Sequence, residues 1–303
     1  MSKTLASGSS VGRWQRRCGD GRSCNTRGME LSDASAPAPT PDIYWKDNPG
    51  RPGAWEVAGL RWLADAPSGV PVVTVHEHNE RGLGIDRVSS MTPTCAMAED
   101  FGRKLALTHA AGALHFGFSP TGESGFQGPN DNLLELPLKP YENWGEFYAN
   151  VCLAPLIERV FDNAPAEVTQ LLESLRAGQL DDGTPPARIH GDLWAGNVLW
   201  GKVASTNRTG GILIDPSAHG GHPRADLAAL RLFGAPHLSC IEGAYFDVAS
   251  EQGVLGADEP GWGTGSRSVD LHQQHLLWLH AAVFGGGYVG EATAAAARVI
   301  RTL

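Results

Sequence analysis

Apolar positions along residues 55–67 (WEVAGLRWLADAP) recur at helical spacing through Trp55, Val57, Ala58, Leu60, Trp62 and Leu63 until Pro67 intervenes. The spacing predicts a helix with Glu56 in its first turn. Before it, residues 42–46 (DIYWK) form a short aromatic, strand-prone run ending in Lys46, and residues 71–76 (PVVTVH) and 83–88 (LGIDRV) predict two further strands. From residue 96 the pattern changes to long helical periods. Residues 96–115, 144–161, 164–176, 270–288 and 292–303 predict helices, the fourth ending in a Gly-Gly-Gly stop at Gly285 to Gly287. Two apolar runs interrupt that series: RIHGDLWAGNVLW at 188–200 and ILIDP at 212–216, joined by a polar connection over 202–211. Strands first and helices afterwards predict an α+β fold in two lobes, with a small β-rich lobe over 42–90 and a larger, mostly helical one over 91–303.

Residues 1–41 show no sustained period. Residues 32–41 (SDASAPAPTP) have the composition of an extended linker, so the segment is expected to be irregular. Its five arginines with serines and threonines loosely resemble a transit peptide, but Gly and Cys interrupt any amphipathic helix there.

The formal net charge of -9 argues against a nucleic-acid surface, and no apolar run approaches the ~18 residues of a membrane span. Five scattered cysteines, odd in number and without a Cys-x-x-Cys pair, predict free thiols in a reducing, cytoplasmic compartment. His219 and His222 in a glycine-rich turn lack the third nitrogen or sulfur ligand that zinc requires.

The chemistry concentrates at 188–216. A loop between strands sets Asp192 and, five positions on, Asn197 on one concave side, and Asp215 at the end of the next apolar run adds a second carboxylate. Oxygen ligands suit Mg2+, and phosphoryl transfer needs a carboxylate to receive or orient the acceptor proton. Asp192 is therefore the candidate catalytic residue, and Asn197 and Asp215 the candidate metal ligands.

The Asp-x-x-x-x-Asn spacing followed by a metal-binding Asp resembles the catalytic loop of protein kinases, with Gly191 where those have Arg and Asp215-Pro216-Ser217 where they have Asp-Phe-Gly. The longer strings HGDLWAGN, IDPSAHGGHPRADLAALRLFG and LHQQHLLWLHAAVFGGGY resemble the fructosamine (ketosamine) kinases, relatives of the aminoglycoside phosphotransferases.

This resemblance implies ATP and Mg2+ as cofactors, a ketosamine acceptor, free or protein-bound, and a role in protein deglycation. It makes Lys46 the nucleotide-binding lysine with Glu56 holding it, and gives His190 and Asp226 the task of bracing the loop. Trp194 either stacks on the sugar or packs under the loop, and His109 is a hydrogen-bonding core residue. Backbone groups near 87–93 are expected to meet adenine, and a phosphate-covering glycine loop is expected before Lys46, where Ser7 to Gly12 and Gly19 to Arg22 are the available clusters. Two rival readings stay open: a kinase of aminoglycosides or other amino-alcohols, and a non-catalytic pseudokinase with a degenerate glycine loop. Oligomeric state is not legible.

Overall fold

The computed structural model describes residues 42–256 and 261–303; the expectations for residues 1–41, including both glycine clusters, lie outside them. Strand β1 (Ile43–Asp47) leads into helix α1 (Gly50–Ala64), followed by β2 (Val75–Asn79), β3 (Gly82–Asp86) and β4 (Val88–Ser90). The first three strands form an antiparallel sheet in the order β1-β3-β2, with Lys46 opposite Leu83.

Helix α1 begins five residues earlier than its apolar period indicates. Pro52 lies in its first turn, where backbone N–H groups have no partner in the helix and a proline costs little. Glu56 therefore belongs to the second turn, not the first, and its carboxylate is buried against the sheet. Val57, Leu60 and Leu63 pack in one cluster with Leu83 and Ile85. Burying each such side chain contributes about 1.5–3 kcal/mol.

Helix α2 (Cys95–Ala110) is capped by the Thr94 hydroxyl, which accepts the Met97 N–H. It stops short of the expected residue 115 because Ala111 closes it and Gly112 turns left-handed at φ 67°. The loop that follows contains a small hairpin of β5 (Gly125–Gln127) and β6 (Leu134–Leu136). Next come α3 (Trp144–Phe147), a π-helical stretch over Tyr148–Leu153, α4 (Ala154–Val160) and α5 (Ala166–Arg176). Strand β7 (Ala187–Ile189) then leads to the 190–197 loop, which ends in a 3-10 turn at Ala195–Asn197.

Strands β8 (Val198–Val203) and β9 (Thr209–Leu213) make the hairpin that carries Asp215, with β4 alongside β8. Strand β10 (His219–Gly221) pairs with β7. The remainder is helical: α6 (Arg224–Phe233), α7 (Leu238–Gln252), α8 (Arg267–His272), α9 (Gln274–Phe284) and α10 (Gly287–Ile300). The single helix expected over 270–288 is thus three pieces, broken at Gln273 and again at Gly285 and Gly286.

Two links position the Lys46 sheet against the Asp215 hairpin. The Leu213 N–H donates to the Pro71 carbonyl at 2.9 Å, while the Leu213 carbonyl accepts from Val73 N–H at 3.2 Å. Asp86, buried at the end of β3, accepts from the Thr74 N–H at 2.8 Å and from Arg208 of the hairpin connection at 2.7 Å. Burial pushes the Asp86 pKa up, but these bonds and that of His76 outweigh it and hold it below the usual carboxylate range.

The cysteine expectation is corrected. Cys95 and Cys240 form a disulfide with Cα atoms 5.7 Å apart, joining the start of α2 to the first turn of α7. The two residues are separated by 145 positions, so the pairing follows from helix packing and has no local spacing signature. That packing is close: a Cβ on Gly102 of α2 would collide with the Ile241 carbonyl of α7. Cys152 is a free, buried thiol.

Candidate functional site

Lys46 projects from β1 to a point shared by a helix and the end of a hairpin. Its Nζ donates to Glu56 Oε2 at 2.9 Å and to Asp215 Oδ1 at 2.7 Å. Burial alone would lower the lysine pKa, yet the charges of Glu56 and Asp215 raise it, so Lys46 is a cation. Burial pushes Glu56 up and Lys46 pulls it down, with burial the larger effect. Asn48, which the sequence reading missed, donates from Nδ2 to Glu56 Oε2 at 2.7 Å and is itself buried. Only its place two residues after the lysine could have signalled it.

The 190–197 loop is held from beneath. Asp226, in the first turn of α6, accepts the backbone N–H groups of His190 at 2.8 Å and Gly191 at 2.9 Å, and His109 Nε2 at 3.1 Å. Burial raises the Asp226 pKa, but the His109 bond and the neighbouring charges and donors more than cancel it, leaving an ionised, buried carboxylate. His109 also meets the Tyr245 hydroxyl at 2.8 Å, in keeping with its expected core role. His190 Nε2–H donates to the Ile214 carbonyl at 2.8 Å and so couples the loop to the residue before Asp215. Position 191 has φ 79°, and a Cβ there would strike the Ser217 carbonyl, which explains glycine where protein kinases have arginine.

Within the loop, Asn197 Nδ2 donates to the Asp192 carbonyl at 2.8 Å and to Asp192 Oδ2 at 3.1 Å. The Asp192 pKa is raised to about 7, chiefly by burial and further by the charges of Asp215 and Asp226, against the lowering effect of the Asn197 bond. Asp215 adopts the left-handed conformation at φ 53°, a strained choice for a residue other than glycine that turns its carboxylate toward Lys46.

One cavity of about 480 Å³ brings these groups together: Lys46, Glu56, Asp192, Trp194, Asn197 and Asp215 all line it, as do Asn48, Gln127, Phe233, His280 and Phe284. Asp226 and His190 are buried and do not line it. Trp194 is 42 % exposed, lies against Gly196 of its own loop and meets Phe233 edge-to-face at 6.3 Å. The segment 87–93 does not line the cavity; Ser89 and Ser90 pair with β8, and the Met91 N–H donates to the Trp200 carbonyl at 2.9 Å. His219 and His222 have separate partners, the Ser217 carbonyl for one and the Asp182 carboxylate for the other. The sequence analysis does not single out Phe233, His280 or Phe284, because an apolar helical position facing a cavity has the same spacing as one facing the core.

A lysine held by two carboxylates, facing a loop aspartate and amide across one cleft and set on a small sheet joined to a helical body, defines a kinase-like phosphotransferase. The fructosamine kinase family model matches residues 55–302, and the chain belongs to that family. A Thermus thermophilus protein described as a ketoamine kinase is 30% identical over 78% of this chain and 78% of its own length. Mouse ketosamine-3-kinase is 30% identical over a shorter stretch, 50% of this chain and 45% of the relative. The crystal structure of a Thermobifida fusca protein described as a fructosamine-3-kinase superposes with a TM-score of 0.71 at 36% identity, covering 86% of this chain and 85% of that one. Among the described residues no helix is long and apolar enough to cross a membrane.

Proposed function

We propose that this chain transfers the γ-phosphoryl group of ATP to a sugar hydroxyl of a ketosamine such as a fructosamine or ribulosamine, and acts in protein deglycation. The convergence of Lys46, Asp192, Asn197 and Asp215 on one cavity carries the reading. Asp192 is the base: with a pKa near 7 it is ionised often enough at neutral pH to accept the acceptor proton and basic enough to pull on it. Lys46, kept charged and aimed by Glu56, binds phosphate oxygens. Asp226 and His190 hold the loop backbone so that Asp192 does not have to be ordered during the reaction.

The donor set fits magnesium. Asn197 uses its amide nitrogen on Asp192 and so keeps Oδ1 free, and Asp215 keeps Oδ2 beyond its bond to Lys46; hard divalent cations select oxygen. Bound by those two residues, the ion would neutralise phosphate charge. Trp194, exposed at the cavity edge, offers a flat face to the sugar.

The cavity chemistry favours a ketosamine over an aminoglycoside. Among the described residues the carboxylates lining it are Glu56, bonded to Lys46, and Asp192 and Asp215, which this reading gives to the acceptor proton and the metal; Phe126, Phe233 and Phe284 line it as well. A polycationic acceptor would lack counter-charges there. ATP consumption measured against fructosyl-lysine, ribulosyl-lysine and an aminoglycoside panel tests the proposal; turnover of an aminoglycoside in preference to both ketosamines would overturn it.

A further inference from the structure

His280, on α9, lines the same cavity as Asp192 and Trp194. Its Nδ1–H donates to the Leu276 carbonyl one turn earlier, at 2.8 Å. In a neutral imidazole that bond fixes the tautomer and leaves Nε2 as a lone-pair acceptor. Burial lowers the His280 pKa despite the Leu276 bond, which favours the neutral ring. Among the described residues Nε2 has no hydrogen-bond partner.

Three rings surround this imidazole, with centroids at 4.9 Å for Phe233, 5.0 Å for Tyr288 and 5.4 Å for Phe284. Phe233 extends the series to Trp194. The cluster is costly to display, since Phe284 is 61 % exposed. Phe284 follows His280 by one turn of α9, whereas Tyr288 reaches it through a turn that only glycine makes readily: Gly285 at φ 64°, ψ −141° and Gly286 at φ 61°, ψ −136° bring the start of α10 onto the histidine. A cationic nitrogen entering here meets an imidazole acceptor and aromatic faces.

We propose that His280, ringed by Phe233, Phe284 and Tyr288, determines specificity for the nitrogen of the acceptor. Nε2 accepts an N–H from the secondary ammonium of the ketosamine, while the rings face its charge and the carbon chain beyond it. The inference rests on the ketosamine reading above and assigns the part of the cavity that distinguishes such a compound from a plain ketose.

The test compares initial rates for a methylamine-derived ketosamine and for the matching ketose without nitrogen, in wild type, H280F and H280Q. Phenylalanine keeps an aromatic face and removes the acceptor; glutamine restores an acceptor. The ratio of the two kcat/KM values should fall about ten- to hundredfold in H280F, carried by the ketosamine KM, and recover in part in H280Q. An unchanged ratio in H280F, with ketosamine turnover intact, would overturn the role of His280 alone. Failure of the wild type to phosphorylate the ketosamine would overturn the acceptor reading and this inference together.

Discussion

Lys46 and Asp215, 169 residues apart in the chain, meet at 2.7 Å, and the same ammonium holds Glu56 at 2.9 Å. One side chain thus joins a strand, a helix and the end of a hairpin. Lys46→Met removes the cation proposed to bind the phosphates and leaves two carboxylates facing each other. We expect kcat/KM for ATP to fall about 10²- to 10³-fold, measured in a coupled assay at saturating ketosamine. A loss below tenfold would show that Lys46 does not touch the nucleotide.

Asp226 is a buried carboxylate with three donors, the two loop N–H groups and His109. Asp226→Asn keeps the shape but turns an amide NH2 toward a group that is itself a donor. It should cost about 3–5 kcal/mol, read as a lower urea midpoint, and reduce kcat more than KM because the loop carrying Asp192 loses its support.

The pH profile follows from Asp192. A base works only when ionised, and its pKa is raised to about 7 by burial first. The profile of kcat/KM should therefore fall about tenfold per pH unit below about 7 and level off above it, whereas an ordinary carboxylate would level off near pH 4. The same raised value means protonation favours the fold: this contribution to stability is complete below about pH 4 and is lost as pH rises through about 7. A pH-rate profile flat from pH 5 to 8 would contradict the assignment.

Joining Cys95 to Cys240 removes conformational freedom from the unfolded chain. Reduction, or Cys95→Ser, should lower stability by about 2–5 kcal/mol, seen as a shift in the urea midpoint with and without dithiothreitol. No shift would mean that the thiols are unpaired in solution.

The site was legible where it is local. Asp192, Asn197 and Asp215 lie within 24 residues on one loop and hairpin, and spacing alone put them on one side. Lys46 and Glu56 were legible only through resemblance, and the start of α1 was misplaced because the apolar period begins at Trp55, while Gly50, Pro52 and Gly53 carry no period yet are tolerated in the first turns. What sequence periodicity cannot carry is pairing between distant helices. The Cys95–Cys240 bridge and the approach of Phe233 to His280 both arise from packing, and an apolar residue facing a cavity has the same spacing as one facing the core.

The most direct test of the account is ATP consumption with ribulosyl-lysine and fructosyl-lysine supplied separately, for the wild type and Asp192→Asn, alongside ATP binding by each. The account predicts turnover of at least one ketosamine by the wild type, and a loss of about 10³-fold or more in Asp192→Asn with ATP binding retained. A wild type that binds ATP but phosphorylates neither compound, or an Asn variant that keeps its turnover, would contradict it.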